Sequence, residues 1–95
     1  MQHISSAVLM RAVAAQERQF STHDVIRFLY TKYQKPYLAE LLAHDGPKVM
    51  YPFTATHREI GRSLLLIPGI RKTRRKRSTK TMRGKSTMIQ EWERI

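Results

Sequence analysis

No acidic residue occurs from Gly61 to Gln90, yet Arg71, Lys72, Arg74, Arg75, Lys76, Arg77, Lys80, Arg83 and Lys85 all fall between Ile70 and Met88. Half of the chain's 18 Lys and Arg thus stand on one short stretch that carries nothing of its own to neutralise them. Such a stretch cannot pack against itself without strong repulsion. It is either a solvated tail or an arm that the rest of the fold presents to a polyanion. The run is internal, and Met88, Ile89, Trp92 and Ile95 follow it. An indole placed there suits an anchor on a core better than a disordered end. We therefore expect a folded basic arm, with its tip near Ser78 to Met82 mobile when no partner is bound.

The net charge of +11 is unevenly distributed. Residues 1–57 hold six basic and four acidic side chains, a balance of +2, whereas residues 58–95 hold twelve basic and three acidic, a balance of +9. A near-neutral half builds the core and a basic half meets the partner, for which nucleic acid is the densest cellular polyanion. The 95 residues suffice for one small domain with a thin stability margin. The absence of cysteine excludes a disulfide framework and a Cys-based zinc site. No apolar run approaches the roughly 20 residues of a membrane span, and Leu64-Leu65-Leu66-Ile67 is far too short. Arg11 and Glu17 interrupt the N-terminal apolar stretch, so signal-peptide anatomy is missing. A cytoplasmic protein without a membrane partner is expected.

Helical signals dominate the first two thirds. Ile4, Val8 and Val13, with Ala7, Ala12, Ala14 and Ala15 between them, predict a helix over Ile4–Gln19. Ser21-x-x-Asp24 resembles a capping box opening a second helix, Thr22 to Tyr33, with Val25, Phe28 and Leu29 on one face. Lys35-Pro36 interrupts it. A short third helix, Tyr37 to Ala43, places Leu38, Leu41 and Leu42 inward and stops at Asp45-Gly46-Pro47. Lys48 to Phe53 reads as a loop or one short strand. Thr56 and Glu59 form a second capping box, Ile60, Leu64 and Ile67 recur at helical spacing, and Pro68-Gly69 stops that helix. Ile70 then opens an extended stretch, and Arg83-Gly84 marks its return turn. Residues 86–95 fit strand or helix equally well, because Met88, Trp92 and Ile95 satisfy both periods.

Helices, a capped helix, a Pro-Gly stop and a basic hairpin ending in an aromatic strand form the order of a winged helix-turn-helix. We expect a mainly α fold with a small β-hairpin, as one domain over 1–95, the recognition helix at about 55–67 and the basic wing at about 70–94. At 100° per residue Ile60, Leu64 and Ile67 face inward, while Arg58 and Arg62 stand one turn apart on the opposite face, with Gly61 between them and His57 on the same edge. An Arg pair of this kind can reach base edges or straddle phosphates. His57, Arg58, Gly61 and Arg62 are therefore the candidate reading residues, and the nine basic side chains from Arg71 to Lys85 the candidate phosphate contacts. The expected partner is double-stranded DNA.

Other chemistries lack their residues. Gly84-Lys85-Ser86-Thr87 imitates the end of a phosphate-binding loop, but Thr79 stands where the motif needs glycine. His3, His23, His44 and His57 show no metal-ligand spacing. No nucleophile elbow or close carboxylate pair occurs, so no catalytic residue, cofactor, metal or small-molecule substrate is expected and the chain is not read as an enzyme. RNA binding is the weaker alternative, because stacking aromatics are not interleaved with the basic run. Leu9, Met10, Ile26, Tyr30 and Tyr37 have no inner position in this scheme, and we expect them to form a homodimer surface on the helical half.

The segment Phe20 to Ile95 resembles the C-terminal winged-helix domain of phage and plasmid primase–helicases, those of enterobacterial satellite phages among them. The matching residues are Leu29-Tyr30-x-x-Tyr33, Thr56-x-x-Glu59-Ile60-Gly61-Arg62-x-Leu64, Ile70-Arg71, Arg83-Gly84-Lys85 and Trp92. The resemblance implies an origin-recognition module attached to separate primase and helicase domains, so the chain would be a C-terminal fragment of a larger replication protein that binds origin repeats in a bacterial host. A stand-alone transcriptional repressor of the same fold is the alternative.

Overall fold

Two serines start the helical half. Ser5 Oγ accepts the Val8 N–H at 3.2 Å and opens α1 (Ser6–Ala14). Ser21 and Asp24 form the capping box that the sequence suggests: Asp24 N–H donates to Ser21 Oγ, 3.2 Å, and Ser21 N–H to Asp24 Oδ2, 2.8 Å, at the head of α2 (Thr22–Lys32). The computed structural model describes residues 1–44, 51–80 and 86–95, with the backbone alone at Tyr51, Lys80 and Ser86. Its remaining elements are β1 (Gln19–Ser21), α3 (Gln34–Ala43), α4 (Tyr51–Leu64), β2 (Ile70–Lys80) and β3 (Ser86–Arg94). The described architecture is mixed: four helices and a three-stranded antiparallel sheet in the order β1-β3-β2.

β1 is a strand that the sequence reading places inside or just after a helix. The first helix stops at Ala14 instead of Gln19, because Phe20 pairs opposite Trp92 in the sheet and both rings are buried. Burying two aromatic side chains outweighs the small propensity advantage of another helical turn. The alternation of β3 settles the ambiguity over 86–95 in favour of strand. Trp92 points to the helices, where its Nε1–H donates to Thr22 Oγ1 at 2.9 Å, while Glu91 and Glu93 on the other face meet Arg77, Arg71 and Arg18.

α3 departs from the expected inward set. Leu41 is buried, but Leu38 and Leu42 are 54% and 85% exposed, and Tyr37 and Glu40 turn inward instead. Glu40 is only 2% exposed because its Oε1 accepts the backbone N–H groups of His3 and Ile4, the latter at 2.9 Å, and so holds Ile4 in the core. A buried carboxylate served by two donors is satisfied, and an inward leucine there would leave both N–H groups orphaned.

α4 also differs from its expected span of 55–67. It is already helical at Tyr51, with Pro52 in its first turn, and ends at Leu64. Thr56 is therefore no cap. It is fully buried in the helix, with Oγ1 3.1 Å from His44 Nδ1. After Leu64 three i→i+3 bonds, from Leu65, Leu66 and Ile67 N–H, tighten the chain before Gly69, at φ 83°, turns it into β2. Ile60, Leu64 and Ile67 are buried as expected, together with Leu9, Val13, Val25, Ile26 and Leu29. Of the residues assigned above to a dimer surface, Leu9, Ile26 and Tyr37 thus lie in the core, Tyr30 packs against it, and Met10 is 46% exposed. The loop or strand expected over Lys48 to Phe53 is overturned at Tyr51, Pro52 and Phe53, which are in α4, and Ser78, Thr79 and Lys80 of the expected wing tip are in β2. The rest of both, the helix stop at Asp45-Gly46-Pro47 and the Arg83-Gly84 turn lie outside the described residues. No described helix is long and apolar enough to cross a membrane.

Candidate nucleic-acid interface

The basic arm is an antiparallel hairpin in which Ile70 faces Arg94 and Lys80 faces Ser86. Its base is stapled to the body. Arg94 N–H donates to Arg18 O at 2.8 Å, Ile95 N–H to Gly69 O at 2.8 Å, and the Arg94 guanidinium to Ala14 O at the end of α1, 3.2 Å. Thr22 lies between α4 and the sheet. Its Oγ1 takes the Trp92 indole N–H, and its methyl would lie 3.8 Å from a Cβ placed on Gly61. Lys72 stands on the Trp92 side of the sheet, its Nζ 6.0 Å from the indole centroid.

The hairpin is interrupted by a bulge. Lys72 faces Trp92 and Lys76 faces Gln90, so Thr73, Arg74 and Arg75 together oppose Glu91 alone. Thr73 Oγ1 donates to Glu91 Oε1 at 3.0 Å and accepts the Arg75 N–H at 3.1 Å. Gln90 Nε2 bridges Thr73 O at 2.9 Å and Glu91 O at 2.7 Å. Glu91 Oε2 receives Arg77 Nε at 2.8 Å, and Arg77 also lies 3.9 Å from Asp24 at the head of α2. The Arg77 guanidinium beside it, helped by the Thr73 hydroxyl, holds the Glu91 carboxyl below its ordinary range against the opposing effect of burial.

These contacts divide the candidate cations. Arg71 is 3.8 Å from Glu93, which also binds Arg18 at 3.2 Å, and Arg77 is committed to Glu91. Arg58, Arg62, Lys72, Arg74, Arg75 and Lys76 are exposed and form no salt bridge to an acid among the described residues, although the charge of Arg75 also helps to lower Glu91. The backbone of Lys80 is in β2, while Arg83 and Lys85 lie outside the described residues. On α4, Arg58 and Arg62 stand in solvent as their helical spacing suggests, but their two companions turn elsewhere. Gly61 faces α2. His57 is half-buried, stacked on Tyr37 and edge-on to Phe53, with its Nε2 2.6 Å from the Tyr37 hydroxyl. Burial, reinforced by nearby His23, pushes the His57 imidazole down to about 4, so the ring that shares a hydrogen bond with the Tyr37 hydroxyl is neutral. Burial raises the Tyr37 hydroxyl in turn to about 12.

Sequence reasoning missed two groups. Thr73, Gln90 and Glu91 are invisible as a set until the bulge brings them together, although Glu91 is the first acid after a long acid-free stretch. The second is Glu40, His44 and Glu59, whose ligand-type atoms lie within 4.8 Å of one another. Glu40 and His44, four residues apart at the end of α3, were the available signal. His, Glu and Glu could hold a divalent cation, but the atoms are already used: His44 Nε2 meets Glu59 at 2.9 Å, His44 Nδ1 meets Glu40 O at 2.8 Å, and Glu59 pairs with the Met1 amino group at 3.2 Å. The group is accounted for as a tie from α3 and the N-terminal segment to α4. Comparison with known protein families, curated proteins and solved structures gives no match to this chain.

Proposed function

We propose that this chain binds double-stranded DNA as a winged helix, with α4 reading the duplex and the β2–β3 hairpin lying along its backbone. The observation that carries the reading is the set of exposed cations with no salt bridge among the described residues, Arg58, Arg62, Lys72, Arg74, Arg75 and Lys76, split between a helix and the hairpin that follows it directly. Support comes also from the chain order and from the strand order β1-β3-β2, in which a short first strand closes on the last. α3 is one helix more than the three that a helix-turn-helix variant of the homeodomain kind needs. The two α4 arginines are the candidates for base contact, and the hairpin cations for phosphate contact.

Assignment to a replication origin, as the recognition module of a phage or plasmid primase–helicase, rests on the family resemblance alone; a stand-alone repressor shares every structural feature invoked. Three of the five residues named for a dimer surface, Leu9, Ile26 and Tyr37, lie in the core, and the DNA-binding reading is made for a single copy. Selection from a random duplex library tests the function. A repeated motif should emerge, bound about 10³-fold or more tightly than random duplex. Duplex RNA competing as well as the selected DNA would overturn the reading.

A further inference from the structure

We infer that Thr73 is a positioning residue for DNA binding: through the bulge it fixes Arg74 and Arg75 as the hairpin's phosphate-contacting pair. This rests on the proposed function. In a regular strand, neighbours such as Arg74 and Arg75 point to opposite faces. A bulge breaks that alternation and re-aims side chains, but it leaves backbone groups unpaired and the segment loose unless something satisfies them. Here the repair is specific. The Thr73 hydroxyl donates to Glu91 and accepts from the Arg75 amide, and Gln90 takes the Thr73 carbonyl. A hydroxyl can do both at once, which no aliphatic side chain of the same shape can.

The bulge is also tied to the body. Asp24, held by the capping box at the head of α2, lies beside Arg77; Arg77 holds Glu91; Glu91 holds Thr73; and Thr73 holds the Arg75 backbone. Glu91, at the centre of this chain of contacts, is only 4% exposed, while Arg77, Asp24 and Thr73 are partly exposed. Arg74 and Arg75 stand at its end, exposed and without a salt bridge among the described residues. Flexible cations reach phosphates in any case. A fixed bulge lets two of them do so with less side-chain and backbone ordering on binding.

The test is a mutant cycle on the whole chain, read as affinity for duplex DNA. Thr73→Val keeps shape and β-branching but removes both bonds, and is expected to weaken binding about 3- to 10-fold, the equivalent of roughly one net hydrogen bond. Thr73→Ser, which keeps the hydroxyl, should bind within about 2-fold of wild type. In an Arg74→Ala/Arg75→Ala background Thr73→Val should cost nothing further, because the residues it positions are gone. Gln90→Leu should give the same pattern from the other side of the bulge, and amide exchange at Arg75 should quicken in Thr73→Val. A Thr73→Val loss equal in both backgrounds, or no loss at all, overturns the inference. Wild-type affinity in Arg74→Ala/Arg75→Ala would instead overturn the hairpin contact in the proposed function.

Discussion

Replacing Arg77 and replacing Arg74 with Arg75 should give qualitatively different salt dependences, although all three stand in one basic run. Each phosphate contact contributes about 0.9 to the slope of log K against log salt. Six described cations on α4 and the hairpin, Arg58, Arg62, Lys72, Arg74, Arg75 and Lys76, form no salt bridge to an acid among the described residues, so they can supply a slope of about −5.4 if all reach phosphates. Arg74→Ala/Arg75→Ala should make the slope shallower by about 1.8. Arg77 already has its counterion, with Nε 2.8 Å from Glu91 and Nη1 3.9 Å from Asp24. It displaces no counterion from DNA. Arg77→Ala should therefore change the slope by less than about 0.5, while weakening binding at every salt concentration and lowering Tm, because it strands Glu91 and frees the bulge. The assay is fluorescence anisotropy of a labelled duplex titrated over a series of salt concentrations. A slope change for Arg77→Ala as large as half that of the double variant would refute the division into holding and binding cations.

Three further outcomes follow from the packing. Thr22→Val keeps volume but orphans the buried Trp92 indole N–H, so it should cost about 1–3 kcal/mol in chemical denaturation, whereas Thr22→Ser should cost less. Gly61→Ala places a Cβ 3.8 Å from Thr22 in ordinary contact, and should stabilise α4 by about 0.5–1 kcal/mol with unchanged DNA affinity; weakened binding would put Gly61 on the groove after all. His57 is depressed to about 4 from an ordinary 6.5. Between those values the unfolded chain binds the extra proton, so stability should fall as pH drops through this window, by about 2 kcal/mol after allowance for partial solvent exposure. His23, depressed by its own burial and by Arg27, pushes the same way, while Glu91, held below the ordinary carboxylate range, contributes its loss only at lower pH. His57→Gln should flatten most of the dependence between pH 4.5 and 6.5, and an unchanged profile would refute the assignment.

Local signals made much of this fold legible. The Ser21–Asp24 capping box is formed, and Ile60, Leu64 and Ile67 are buried at the spacing that marks them. What escaped was decided at a distance. β1 is too short, Gln19–Ser21, for any periodicity, and exists because Phe20 meets Trp92 across the sheet. Leu38 and Leu42 looked inward by hydrophobicity, but the face that packs carries Glu40, whose value lies in two N–H groups far away in sequence. Thr56-x-x-Glu59 has the spelling of a cap, yet Thr56 is inside a helix and Glu59 meets His44. The basic candidates were found as a set but not divided, since division depends on which strand residues fall in register.

That division can be read backwards from the acids. After residue 57 the chain has only Glu59, Glu91 and Glu93. Each is bound to a particular cation or donor: Glu59 to His44, Glu91 to Arg77 and Thr73, Glu93 to Arg18 and Arg71. Scattered acids would have lowered the field over the whole hairpin. Placed on one face of β3, two of them instead pair with Arg71 and Arg77, of which Arg77 also reaches Asp24 of α2, and leave Lys72, Arg74, Arg75 and Lys76 without a salt bridge among the described residues. Pairing of this kind is worth little as stability at a solvated surface. Its larger effect is on orientation, because a cation held by a carboxylate cannot swing toward a phosphate, whereas its unpaired neighbour can. A binding surface on a segment this basic is thus defined by which of its charges are withdrawn.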